Sequence, residues 1–147
     1  MQKIIFFLVL FFITHNLYAK EEYFLTLRNE KVNLRQGPSF DYPVKIFYKK
    51  KFLPVLIQDK SDTFRKIRDH ENNSGWIHIS QLSKKKAAIT IDDDVLVFNR
   101  PTIYSTPKVI LKKGRLCKIK NCKNEWCNIT VDKFKGWIKK DSLWGLL

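Results

Sequence analysis

The sequence predicts an all-β protein built as two tandem copies of one small barrel, and three observations carry that expectation. "GWIHISQL" (75–82) returns as "GWIKKDSL" (136–143), a spacing of 61 residues, which marks an internal repeat. The apolar segments are short, rich in Val, Ile, Leu, Phe and Trp, and parted by turn residues about every 8 to 12 positions, a pattern of sandwiches and barrels. Beyond residue 19, no stretch sustains helical apolar spacing over three turns.

The chain opens with "MQKIIFFLVLFFITHNLYA" (1–19): a single cation at Lys3, an apolar run from Ile4 to Ile13, and a small residue at Ala19. These are the parts of a secretory signal peptide cleaved after Ala19. The run is too short for a membrane-spanning helix, which needs roughly 18 apolar residues. No cysteine follows it, so no lipid anchor is expected. Removing 19 residues from 147 leaves 128, placed in the periplasm or secreted.

The first barrel is expected over 20–86. "VNLRQGP" starts an early strand and a Pro-containing loop, "KKKFLPVLI" (49–57) is a lysine-rich turn leading into an alternating strand, and Phe64 opens a strand with Ile67 three positions on. "DHENNSG" (69–75) has the composition of a hairpin connection. A junction is expected at 87–94, where "SKKKAA" meets "TIDDD". Three adjacent carboxylates point in different directions and lack the oxygen spacing of a calcium loop, so they are taken as a solvated linker. The second barrel follows over 95–147: "VFNRPTIYSTPKV" faces the first copy's opening, "KKGRLCKI" (112–119) matches "KKKFLPVLI", and Trp126 stands three residues before Ile129 as Phe64 does before Ile67. Trp144, near the C-terminus, is expected to plug a barrel or bridge the repeats. A unit of about 60 residues is marginal alone, so joining two would help.

The charge is strongly basic: 28 Lys and Arg against 14 Asp and Glu, a net +14, or +13 without Lys3. Such a balance suits nucleic acid, but an exported protein meets anionic lipid and cell-wall polymers first. Nucleic acid is therefore not an expected partner. The accompanying richness in Asn, Ile and Phe makes much of the lysine readable as solvated surface.

All three cysteines, Cys117, Cys122 and Cys127, lie in the second copy. In an oxidising compartment two of them should be bridged, as Cys122–Cys127 or Cys117–Cys127. A metal site needs four ligands, and His70 and His78, the available supplements, belong to the other copy. A catalytic thiol lacks a nearby histidine. The five glycines form no phosphate-binding loop, and no nucleophile–base pair is recognisable. Neither enzyme activity, nor a cofactor, nor a metal is expected.

Asn33-Leu34-Arg35 followed by Gly37-Pro38, the lysine turn into a strand, an aromatic with Ile at +3, and Gly-Trp-Ile with leucine six after the Trp together resemble the bacterial SH3-like (SH3b) family, in its tandem exported form. The resemblance covers essentially the whole chain after residue 19. The second copy departs at its opening, where "VLVFNRPTIYS" replaces the Asn-Leu-Arg-x-Gly-Pro pattern. The resemblance implies two small five-stranded barrels that bind rather than catalyse, with a Cys122–Cys127 bridge; Cys117, at a strand position of the alternating type, is then expected to be a small buried residue. It also implies a peptide groove lined by Tyr42, Phe64 and Trp76 in the first copy and by Tyr104, Trp126 and Trp137 in the second. Trp76 and Trp137 could equally fill the core; Phe64 and Trp126, which open their strands, are the better placed for exposure.

Three functions fit. The leading one is an exported adaptor that recognises cell-wall peptide or an envelope protein through its grooves. The second is a binder of polyanions or an anionic membrane surface, through Lys49–Lys51, Lys84–Lys86, Lys112–Lys113 and Lys139–Lys140. The third is a structural assembly role. No oligomeric state is implied.

Overall fold

The computed structural model describes residues 20–147, so the expected signal peptide at 1–19 lies outside the described residues. The chain is all-β, with two antiparallel sheets of seven strands each. In the first sheet the strands are β1 (Tyr23–Leu27), β2 (Val32–Arg35), β3 (Val44–Tyr48), β4 (Pro54–Ser61), β5 (Phe64–Arg68), β6 (Ser74–His78) and β7 (Leu82–Ser83). The second repeats them as β8 (Ala87–Thr90), β9 (Val95–Phe98), β10 (Pro107–Leu111), β11 (Leu116–Lys123), β12 (Trp126–Val131), β13 (Phe134–Lys139) and β14 (Leu143–Trp144). Spatial order is the same in both: β3-β2-β6-β5-β4-β1-β7 and β10-β9-β13-β12-β11-β8-β14. A single 3-10 turn precedes each last strand, at Ile79–Gln81 and Lys140–Ser142.

Period-two alternation builds the cores. Leu34, Val55, Ile67 and Ile77 face inward in the first barrel, and Val97, Cys117, Ile129 and Ile138 do so in the second. The β4–β5 and β11–β12 hairpins turn on Asp62 (φ 48°) and Asn124 (φ 55°), residue types that tolerate the left-handed region a two-residue turn requires. Gly75 and Gly136 lie where two strands come closest. A Cβ on Gly75 would stand 2.7 Å from the Arg35 carbonyl oxygen, and one on Gly136 2.6 Å from that of Phe98. Each Gly-Trp-Ile is thus one structural seam used twice: glycine admits the neighbouring strand, Ile enters the core, and Leu82 or Leu143 buries behind it.

A buried polar pair closes the β5–β6 connection. The Tyr48 hydroxyl donates to Asp69 Oδ2 at 2.8 Å, while Asp69 also accepts from the backbone N–H groups of Glu71 and Asn73. Burial, with this bond, pushes the Tyr48 pKa far above its ordinary value, so the hydroxyl stays a donor.

The expected junction differs from the one observed. Ala87–Thr90, placed in a linker by the sequence, is β8, bonded to β11 and β14 and buried at all four positions. Both barrels cover it: Ile89 joins the first core and Ala88 the second. The connection between sheets is Lys84–Lys86, and it is held at both ends. Thr26 Oγ1 donates to the Lys85 carbonyl at 2.8 Å, and the Ile119 N–H to that of Lys86 at 3.0 Å. The acidic run also has work beyond solvation. Asp94 pairs with Lys112 Nζ at 2.6 Å and Asp93 accepts the Lys113 N–H at 3.1 Å, fixing the turn before β11. Trp144 bridges the repeats: its ring meets Phe24 edge-on at 4.8 Å between centroids and lies 6.1 Å from His70.

Cys122 and Cys127, cross-strand partners on β11 and β12, are joined by a disulfide in the structure, while Cys117 is a free, fully buried thiol. Burial pushes the Cys117 pKa up to about 11, so it remains protonated at neutral pH. Peptide mapping without reductant is expected to recover Cys122 linked to Cys127. Cys117 should be alkylated only after denaturation. Reduction should lower stability by about 2 kcal/mol, read from chemical denaturation with and without reductant. Recovery of a Cys117 bridge, or of three free thiols from the native compartment, would remove the staple.

Candidate functional site

In the first repeat, aromatic side chains gather on the outer face of β5 and β6, beneath the loop 36–43. Trp76 and His78 alternate with buried Ile77, so both point outward. Phe64 is the register partner of His78, and Lys66 of Trp76. Phe40, from the loop, lies over this pair, with ring centroids 5.2 Å from Phe64 and 5.0 Å from His78. Phe64 is consequently only 4% exposed, against the expectation that a strand-opening ring would be accessible; Phe40, 62% exposed, presents the aromatic surface instead.

Arg35 organises the loop. It is the register partner of Trp76 and donates from Nη1 to the carbonyls of Tyr42 (2.8 Å) and Phe40 (3.1 Å), with its guanidinium 5.4 Å from the Phe40 ring centre. Tyr42, 47% exposed, lies across Gly37, where any Cβ would stand 2.5 Å from its ring. Trp76, half-buried, joins Phe40 and Tyr42 around this arginine. The result is a shallow ridge of rings carrying a fixed cation, able to pack against an extended chain.

The second repeat keeps the loop's course and loses its chemistry. Loop 99–106 has the same backbone bonds as 36–43: Asn99 N–H to the Thr106 carbonyl, and Ser105 N–H to that of Thr102, answer Gln36 to Pro43 and Tyr42 to Ser39. Position by position, Tyr42 therefore corresponds to Ser105, and Tyr104 to Asp41. Tyr104 is 91% exposed, while Ser105 turns in to accept the Arg100 N–H at 2.9 Å. Arg100 stands where Gly37 makes room for a ring, and Phe98 stands where Arg35 clamps the loop. Tyr104 is thus not brought to the other expected groove residues.

Trp126 and Trp137 are both half-buried on the outer face of β12 and β13. Trp126 packs edge-on against Phe98 at 5.5 Å, with Lys139 Nζ 5.9 Å from its ring centre. Trp137 lines an open cleft of about 450 Å³ that holds four lysines and no carboxylate. Reading residue types missed Phe40 and His78. The available signal for His78 was its i+2 spacing from Trp76; Phe40 has none beyond lying in the loop. Among the described residues, no three His, Cys, Asp or Glu side chains gather as a metal ion would need.

The family whose model matches this chain is described as "Bacterial SH3 domain", and it matches twice, at residues 28–84 and 92–145. No curated protein sequence matches the chain. Among solved structures, NlpC2 from Trichomonas vaginalis is similar at 14% identity, covering 85% of this chain and 48% of that one, with a TM-score of 0.39. NlpC1 from the same organism is similar at 13% identity, covering 86% and 46%, with a TM-score of 0.38. The chain spans about half the length of these two proteins.

Proposed function

Because the chain belongs to the bacterial SH3 domain family, we propose that it is an exported, non-catalytic adaptor whose first barrel holds an extended peptide of the cell wall or of an envelope protein. The observation that carries this reading is the Phe40–Tyr42–Trp76 ridge held by Arg35. Phe40 is a large ring left mostly in water although its backbone carbonyl is tied down, which is the state of a ready-made contact rather than of a core residue. Arg35 adds a cation suited to a carboxylate at one end of the peptide. The second barrel, with Ser105 and Phe98 at the matching positions, does not offer the same groove, so one peptide per chain is expected.

Purified sacculi test this. The protein should co-sediment with them and stay bound as salt is raised, because ring contacts are little screened. Phe40→Ala should weaken binding about tenfold, the effect of losing one aromatic contact worth roughly 1.4 kcal/mol. Because Phe40 also covers Phe64, the thermal midpoint should fall by a few degrees, and binding is compared well below it. Release at about 0.3 M salt, or unchanged binding by the variant, would remove the groove from the interaction.

A further inference from the structure

Aligned by their backbone bonds, Phe52 and Gly114 occupy the same place in the two barrels. The Phe52 N–H donates to the Leu27 carbonyl at 2.9 Å, and the Gly114 N–H to that of Thr90 at 2.8 Å. Both take a left-handed backbone, φ 64° at Phe52 and 82° at Gly114. Glycine suits that conformation, and a bulky aromatic rarely adopts it. The first barrel thus holds a phenylalanine where its own repeat holds the easier residue, and what surrounds the ring is unusual. Three ammonium groups from three segments converge on it: Lys51 Nζ at 5.3 Å, Lys85 Nζ at 5.5 Å and Lys118 Nζ at 4.8 Å from the ring centre. A ring has two faces, so at least two of these cations share one. None of the three has an ion-pair partner among the described residues. The ring's negative faces hold together like charges that would otherwise separate.

Lys118 belongs to a second basic site. With Lys108, Lys120 and Lys135 it surrounds Trp137 in the cleft described above. Asn99 and Asn128 add amide groups inside it, able to bond hydroxyls. Three other clefts of similar size carry a carboxylate: Asp132 in one that Lys118 also lines, Asp69 and Glu71 in another, Glu125 and Asp141 in a third; a fourth, along Lys84, Lys85 and Lys86, has no acidic side chain and brings Lys85 from the Phe52 cluster.

We infer that Phe52 and the Trp137 cleft, joined through Lys118, form one track for an anionic glycan, a saccharide chain bearing carboxylates or phosphodiesters. The indole offers a face for a sugar ring, the amides offer partners for hydroxyls, and the lysines from both barrels meet the repeating charge. A lipid surface offers no sugar ring to lie against the indole. This site is separate from the peptide groove of the first barrel and does not depend on it.

Polygalacturonate is the probe for carboxylates on sugar rings, polyphosphate for charge without rings, and dextran for rings without charge. The full protein should bind polygalacturonate with a log–log salt slope of about −3 to −4, so that a threefold rise in salt weakens binding roughly 30- to 80-fold. Lys118→Gln should weaken it roughly five- to tenfold and reduce the slope by about 1. Phe52→Gly should fold as readily, since glycine is the resident at the matching position, yet bind more weakly. Polygalacturonate should shift tryptophan emission in the parent and not in Trp137→Phe. Phe40→Ala should bind as the parent does, which separates this track from the peptide groove. Unchanged binding by both Lys118→Gln and Phe52→Gly overturns the proposal. So does equal binding of dextran, tighter binding of polyphosphate without an emission change, or a Lys118-dependent preference for phosphatidylglycerol vesicles over polygalacturonate.

Discussion

Gly75→Ala is expected to destabilise the protein by about 1–3 kcal/mol, far more than one added methyl costs at a surface site. The new Cβ would stand 2.7 Å from the Arg35 backbone oxygen and 2.7 Å from Leu34 Cγ, so a strand must shift rather than a side chain turn. For a chain of this size the thermal midpoint should fall by roughly 4–15 °C. Gly136→Ala meets the Phe98 carbonyl in the same way and should cost a similar amount. Binding separates the two. Displacing Arg35 disturbs the guanidinium that holds Phe40 and Tyr42, so Gly75→Ala should also weaken association with sacculi, while Gly136→Ala should leave it near the parent's. A midpoint within a degree of the parent for both variants would show that the strands do not approach as closely as described.

Trp144→Ala is the second substitution with a large expected effect. A buried aromatic truncated to alanine loses about 3–5 kcal/mol, and a half-buried one about half of that. Its effect should fall on the coupling between barrels, because the ring's partners, Phe24 and His70, both belong to the first. Calorimetry should find one unfolding transition in the parent and two in the variant, as each barrel loses its neighbour's support. Trp144→Phe should recover part of the coupling through the edge contact with Phe24. An unsplit transition at an unchanged midpoint in Trp144→Ala would assign the seam to β8 alone.

Much of this architecture was legible because small barrels write themselves in alternation. Ile67, Ile77, Ile129 and Ile138 are core residues that the pattern marks without help, and the repeated Gly-Trp-Ile locates the same strand twice. What was not legible depends on contacts that cross the repeat. Ala87–Thr90 is covered on both faces, so it shows no alternation, and its acidic sequel reads as a linker. Phe64 opens its strand as an exposed residue would, and is buried by a ring 24 positions earlier. Tyr104 was matched to Tyr42 by residue type, whereas the exchange of Gly37 for Arg100 carried the contrary signal: without a glycine, that loop has no room for a ring. Lining up "KKKF" with "KKGR" sets Phe52 against Arg115; its true counterpart, Gly114, and what the exchange means need the backbone bonds, the backbone angle and the three cations.

The strap between the barrels has a consequence for resistance to proteases. Lys84, Lys85 and Lys86 present three consecutive targets to any protease that cuts after lysine, in the segment that joins the two barrels covalently. Such enzymes need a stretch of chain they can lift into an extended form. Here the carbonyls of Lys85 and Lys86 are tied to different sheets, by Thr26 and Ile119, so the stretch is released only when a barrel opens. Nicking there would keep time with the opening of the fold, and the two halves would wear out together.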